Sequence, residues 1–229
     1  MITPEVIVRE ECRACFSKNL QEVVNLGEQP LANSFLICAE QEEKKYPLKA
    51  LTCDECGLVQ LSHVVNPSLL YKDYLFCTSS SDSMKNHFSS LMSLLSLGMW
   101  VEDLFVEIGS NDGSGLSSIS DKVRVLGIDP SGIPSKAPVI PEFFTEKLAK
   151  DLVSDYGKAS VIVACNVLAH VNDLSDFLRG VCLLLEDTGV FVFEVPYLGK
   201  LLDNYAWDTI YHEHLSYFSI TPLLVLLTK

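Results

Sequence analysis

The chain has 229 residues, 48% of them hydrophobic and 21% charged, with a formal charge of −13, enough to bury the core of one large or two small domains. That acidity repels phosphate backbones and no lysine or arginine cluster offsets it, so nucleic acid is not expected as a partner; a solvated, solubilising surface is the plainer reading. No apolar run approaches the ~18 residues needed to cross a bilayer, and Met1-Ile2-Thr3-Pro4-Glu5 shows no basic stretch leading into an apolar one, so no membrane partner and a cytoplasmic location are expected.

Residues 1–70 read as a separate, small domain. Cys12-Arg13-Ala14-Cys15 and Cys53-Asp54-Glu55-Cys56 are two C-x-x-C turns, and together they can place four thiolates around one zinc ion. The 37 residues between them exceed the usual ribbon spacing. An excursion through Leu26-Gly27 and Gln29-Pro30-Leu31-Ala32-Asn33 must leave and return. Zinc would contribute on the order of 10 kcal/mol to a domain with so few apolar residues. Two redox pairs are the alternative, but such motifs need a βαβ context that is missing here. Of the other cysteines, Cys165 and Cys182 lie in apolar runs and read as packing residues, while Cys38 and Cys77 have no evident partner.

A second domain is expected over residues 71–229. Its first feature is the serine-rich loop Thr78 to Ser83, read as a linker in preference to a site wall. A helix follows, with Met84, Phe88, Leu91, Leu94 and Leu95 at helical spacing. Leu104-Phe105-Val106 then runs as a strand into Glu107-Ile108-Gly109-Ser110-Asn111-Asp112-Gly113, where two glycines let the backbone turn and approach a ligand. The next strand, Val123 to Ile128, ends on Asp129, twenty residues after Gly109, and a carboxylate there can accept both hydroxyls of a ribose. The loop lacks the third glycine of a dinucleotide fingerprint and carries Glu107 and Asp112. It therefore suits a cation, such as the ammonium and sulfonium of S-adenosylmethionine (SAM), better than a pyrophosphate. The pattern resembles motif I of class I SAM-dependent methyltransferases.

Beyond Asp129 the elements alternate: a short strand from Val139 to Phe144, a helix over Glu146–Tyr156, the buried strand Ala159 to Ala164, a helix from Phe177 to Leu185, a turn at Thr188-Gly189 and the strand Val190 to Glu194. This is a mainly parallel α/β sheet. Asn166, just past the buried strand, falls on its ligand side. Near the C-terminus, Tyr211-His212-Glu213-His214 is the densest group of acid–base side chains, and His170 follows the buried strand. H-E-x-x-H would need histidine at position 216, which is serine. An H-x-H metal pair, a general base and a loop that caps the helix near Pro222 all stay open.

The ordered series of motifs closely resembles the sugar C-methyltransferases that act on nucleotide-linked keto-deoxysugars. It comprises the paired C-x-x-C turns, Leu31-Ala32-Asn33-Ser34-Phe35, Glu107 to Gly113, Gly127-Ile128-Asp129-Pro130, Asn166 to Val171, and Tyr211-His212-Glu213-His214-Leu215-Ser216-Tyr217. The resemblance implies a Rossmann-like class I methyltransferase sheet after a four-cysteine zinc-binding domain, with SAM and zinc as cofactors and a nucleotide-sugar substrate. By that resemblance Cys12, Cys15, Cys53 and Cys56 hold the metal, and Glu107, Gly109, Ser110, Asn111, Asp112, Gly113, Asp129 and Asn166 hold the cofactor. His214 is the candidate base for enolate formation, Tyr211 and His170 candidates to stabilise the enolate, and Glu213 a candidate to orient a partner. Phe76 stands where relatives often have tyrosine. The family's further C-terminal domain is absent from the 229 residues, so a partner chain that supplies it, or a truncated SAM-binding protein without turnover, is one alternative. A nucleotide-sugar oxidoreductase or epimerase is the other.

Overall fold

The computed structural model describes residues 4–38, 40–71 and 74–228; residues 1–3, read above for a leader, and Lys72 and Asp73 lie outside the described residues. The chain forms two compact units. One gathers the described residues through Tyr71, Leu168–Leu174 and those from Val195 on; the other holds Tyr74 to Val167 and Ser175–Glu194. The expected second domain, 71–229, thus contributes two segments to the second unit and gives Tyr71, Leu168–Leu174 and the residues from Val195 on to the first.

In the first unit, strands β1 (Val6–Val8), β2 (Leu20–Pro30), β3 (Lys45–Cys53), β4 (Val59–Leu61) and β5 (His63–Val65) follow one another. The excursion between the cysteine turns is the long hairpin β2–β3, and its register sets Leu20 opposite Cys53 and Pro30 opposite Lys45. An antiparallel hairpin returns the chain to its starting end, so the second turn comes back to the first.

The second unit is a five-stranded parallel sheet of β6 (Leu104–Ile108), β7 (Arg124–Ile128), β8 (Val139–Ile140), β9 (Ala159–Cys165) and β10 (Leu185–Glu194), in the order β10-β9-β6-β7-β8. β6 is buried throughout and β9 nearly so, as near-continuous apolar strands inside a parallel sheet should be. The strand expected to extend to Phe144 stops at Ile140. β10 begins at Leu185 instead of Val190, with a bulge between them. The helix Asp82–Leu95, capped by Ser81, packs Phe88 and Met92 onto Phe105, Leu116 and Val163, while Leu94 of the expected stripe faces solvent. The helix Glu146–Tyr156 falls where it is expected; the one expected from Phe177 to Leu185 runs over Leu174–Leu184, with Leu185 passing into β10, and Cys182 on it is exposed and not a packing residue.

Back in the first unit, β11 (Ser216–Tyr217) pairs with β4 and so completes the sheet β11-β4-β3-β2. Leu48, Ala50, Leu61, Val64, Leu215 and Tyr217 form its core. Among the described residues no helix is long and apolar enough to cross a membrane.

Candidate functional site

The two cysteine turns are built alike. Phe16 N–H donates to the Cys12 carbonyl and Gly57 N–H to that of Cys53, and each donor residue has positive φ, 65° for Phe16 and 73° for Gly57. The sulfurs of Cys12, Cys15, Cys53 and Cys56 all lie within 4.8 Å of one another, with Cys12 to Cys56 at 3.5 Å and Cys15 to Cys53 at 3.4 Å. A tetrahedral zinc with Zn–S bonds of ~2.3 Å needs sulfurs about 3.8 Å apart, so the set fits the ion. These distances are too long for disulfide bonds, which join sulfurs at about 2.05 Å.

In the parallel sheet the chain turns to one side from β6 to β7 and β8, and to the other for β9 and β10. The crevice outside the carboxyl ends of β6 and β9 is therefore the topological switch point, where open α/β sheets bind ligands. The glycine loop and Asn166 flank it. Gly109 has φ of 75°, and a Cβ there would lie 2.4 Å from Val167 Cγ2. Asn111 and Asn166 also adopt positive φ, 50° and 56°, a conformation that asparagine tolerates better than other side-chain-bearing residues. Gly127 has a packing reason to be glycine, since a Cβ would meet Ser110 Oγ at 2.4 Å.

Three carboxyls face three different environments. Glu107 is buried with no partner at Oε2, and burial, reinforced by repulsion from Asp129 and Asp112, pushes its carboxyl up to about 8. Burial also acts against ionisation of Asp112, but Ser79, Ser114 and Cys77 donate to it and hold it at about 2. Asp129 accepts from Asn111 N–H at 2.8 Å, from Ser131 N–H at 2.9 Å and from the Ser131 hydroxyl. An orphaned buried carboxyl behind a close-approach glycine fits a ligand that brings a positive charge.

The serine loop is more than a linker. Thr78 N–H donates to Asn111 Oδ1 at 2.8 Å, Ser79 N–H to Asp112 Oδ2 at 3.1 Å, and Asn111 Nδ2 to the Phe76 carbonyl at 2.9 Å. Cys77 donates its thiol to Asp112 at 3.2 Å, which supplies the partner the sequence did not reveal. Three of these four contacts use backbone groups of the loop, which leave no side-chain signature.

The acid–base cluster lies within the first unit. His214 Nδ1 sits 3.0 Å from the Thr209 carbonyl, and a carbonyl only accepts, so Nδ1 carries the proton. The lone pair of Nε2 then accepts from the Tyr211 hydroxyl at 3.1 Å. Burial lowers the His214 pKa, so the imidazole is neutral at pH 7. Tyr217 donates to the same Thr209 carbonyl at 3.2 Å. His170 packs edge-on against His214, ring centres 5.0 Å apart. Burial and the neighbouring His214 hold it down at about 3.

Two members of this cluster had no assigned role in the sequence. Tyr71 Oη lies 3.0 Å from His170 Nδ1, and Asn33 Nδ2 donates to Glu213 Oε1 at 2.6 Å. Burial raises the Glu213 pKa against that donor. His212 turns to another partner, the Tyr46 carbonyl at 3.2 Å, so His212 and His214 do not form a metal pair. Thr209 and Tyr217 also wall an apolar cavity of 240 Å³ with Val24, Ala50, Val59 and Leu201.

A family model described as "Putative zinc binding domain" matches residues 12–71, and one described as "Methyltransferase domain" matches residues 101–229. The chain is 36% identical, over 95% of its length, to C-methyltransferase NovU of Streptomyces niveus. It spans about half the length of that relative, 54%. Among solved structures it overlaps a SAM-dependent methyltransferase from Archaeoglobus fulgidus with a TM-score of 0.47 and 15% identity, covering 64% of this chain and 66% of that one. It overlaps N-methyltransferase NodS from Bradyrhizobium japonicum with a TM-score of 0.42 and 14% identity, covering 65% and 84%.

Proposed function

Because the chain belongs to the methyltransferase family, its methyltransferase domain preceded by a zinc-binding domain, we propose that it methylates a carbon beside the ketone of a nucleotide-linked deoxysugar. SAM and zinc are the cofactors of the two domains. The observation that carries this reading is the His214 imidazole, neutral and with its basic Nε2 turned toward a tyrosine hydroxyl. Carbon alkylation needs a base for a weakly acidic C–H and a donor for the enolate oxygen, and this pair holds both at one point. The kinship with a protein named C-methyltransferase supports the same reading.

In the proposed reaction, His214 Nε2 takes the proton from the carbon next to the ketone. Nδ1–H stays on the Thr209 carbonyl and keeps the tautomer. The Tyr211 hydroxyl, released from Nε2 as the imidazole becomes cationic, donates to the enolate oxygen. His170 remains neutral and so does not oppose the imidazolium, while Asn33 fixes one oxygen of Glu213 and leaves the other to orient a sugar hydroxyl. Zinc has no part in the chemistry; a closed four-thiolate shell leaves no open coordination position.

For the cofactor we propose Asp129 for the ribose, the turn Gly109, Ser110, Asn111, Asp112 and Gly113 for the methionine end, Asn166 for the facing edge, and Glu107 for the positive charge. SAM supplies the electrophilic methyl. Incubation with SAM and a panel of nucleotide-linked 4-keto-6-deoxysugars, with products weighed and fragmented, tests the reading. A product carrying a new C-methyl supports it. SAM binding without any product favours a chain that binds without turnover, and binding of NAD in place of SAM favours an oxidoreductase or epimerase.

A further inference from the structure

Arg13 stands between the two cysteines of the first turn and is 1% exposed. Its backbone N–H donates to Gln60 Oε1 and its Nη1 to the Leu61 carbonyl, both at 2.8 Å. Nε and Nη2 are buried with no partner, and no ion pair among the described residues includes Arg13. A guanidinium stays ionised at neutral pH. A buried charge without a counterion is among the costliest arrangements in a protein, so a matching anion is expected close by.

The four clustered thiols, two of which bracket Arg13 in the chain, are the candidates. Bound to a divalent ion as thiolates, they leave the centre with two negative charges in excess. No lysine or other arginine lies between the cysteines of either turn. We propose that Arg13 is the fixed countercharge of the zinc centre, its backbone tied to Gln60 and its guanidinium to the Leu61 carbonyl, and that it raises the affinity of the paired turns for zinc. The inference rests on the zinc reading of Cys12, Cys15, Cys53 and Cys56. Zinc content of the wild-type chain tests that reading separately.

The experiment is zinc affinity of the full chain, by competition with a chromogenic chelator at one pH, for wild type, Arg13→Lys and Arg13→Met, with folding checked by circular dichroism. Lysine keeps the charge without the fork, and methionine keeps most of the bulk without the charge. Arg13→Met should bind zinc at least about tenfold more weakly, and Arg13→Lys within about threefold of wild type. Equal losses in both variants would assign the effect to the tie with Leu61 instead of the charge, and wild-type affinity in Arg13→Met would remove any role; either result overturns the proposal. If Arg13→Met does not fold, Arg13→Gln takes its place with the same expected loss.

Discussion

Asn111 and Asp129, 18 residues apart in sequence, are joined directly: the Asn111 amide donates to Asp129 Oδ2 at 2.8 Å. The acid that follows β7 therefore anchors the glycine loop that follows β6, before any ligand arrives. It is expected to serve loop and ribose together. Asp129→Ala should weaken SAM binding about 10–100-fold, as loss of charged hydrogen bonds does, and should also lower the melting temperature, because the buried Asn111 N–H is orphaned. Calorimetric titration and a thermal melt check both halves. Lost affinity at an unchanged melting temperature would contradict the anchoring role.

Glu107 should make the ligand-free protein pH-sensitive. Burial raises its carboxyl to about 8 from an ordinary 4.5, so the unfolded chain ionises first. Its contribution to stability is full below pH 4.5 and is lost as pH rises toward about 8. Without ligand, Glu107→Gln should melt close to wild type at the acid end of that window and clearly higher at the alkaline end, while binding SAM more weakly. A gap that does not change across the window would show that Glu107 does not titrate as described.

Gly109→Ala separates strain from collision. Gly109 and Gly132 both have positive φ, 75° and 68°, but only a Cβ at Gly109 meets a neighbour, Val167 Cγ2 at 2.4 Å. Gly132→Ala should cost the ~1–2 kcal/mol of a left-handed alanine, and Gly109→Ala more than that, with loss of SAM binding. Denaturant unfolding of the two variants gives the comparison. Equal costs would mean that Val167 yields freely.

What the sequence disclosed was local. The strand-loop-strand from Leu104 to Asp129 and the cysteine pairs carry their geometry in residue type and spacing, and the structure places them accordingly. The packing of the C-terminal stretch with the N-terminal unit depends on β11, two residues that pair with β4, too short to leave a periodic signal. Tyr71 carries no local signal, because its partner, His170, is 99 positions away. The grip of Thr78 and Ser79 on the glycine loop runs through backbone N–H groups, which any residue but proline would supply.

The zinc centre predicts its own dependence. Cys53→Ser removes a thiolate from the four-sulfur set, so the variant should lose zinc and with it much of the stability of the hairpin β2–β3, which starts and ends beside the two turns. Metal analysis together with hydrogen exchange checks this. Protection should fall in β2 and β3 and hold in β6 and β9; undiminished protection in the hairpin would show that it does not lean on the metal.

His214 carries the central claim, and solvent-deuterium exchange at the carbon beside the ketone, read in the presence of a substrate that wild type methylates, tests it most directly. His214→Gln should slow both exchange and methyl transfer by ~10²–10⁴-fold, the usual contribution of a positioned base. SAM affinity should stay nearly unchanged, because the glycine loop and Asp129 are untouched. Exchange that persists undiminished in the variant, or a methyl group found on oxygen instead of carbon, would contradict the assignment.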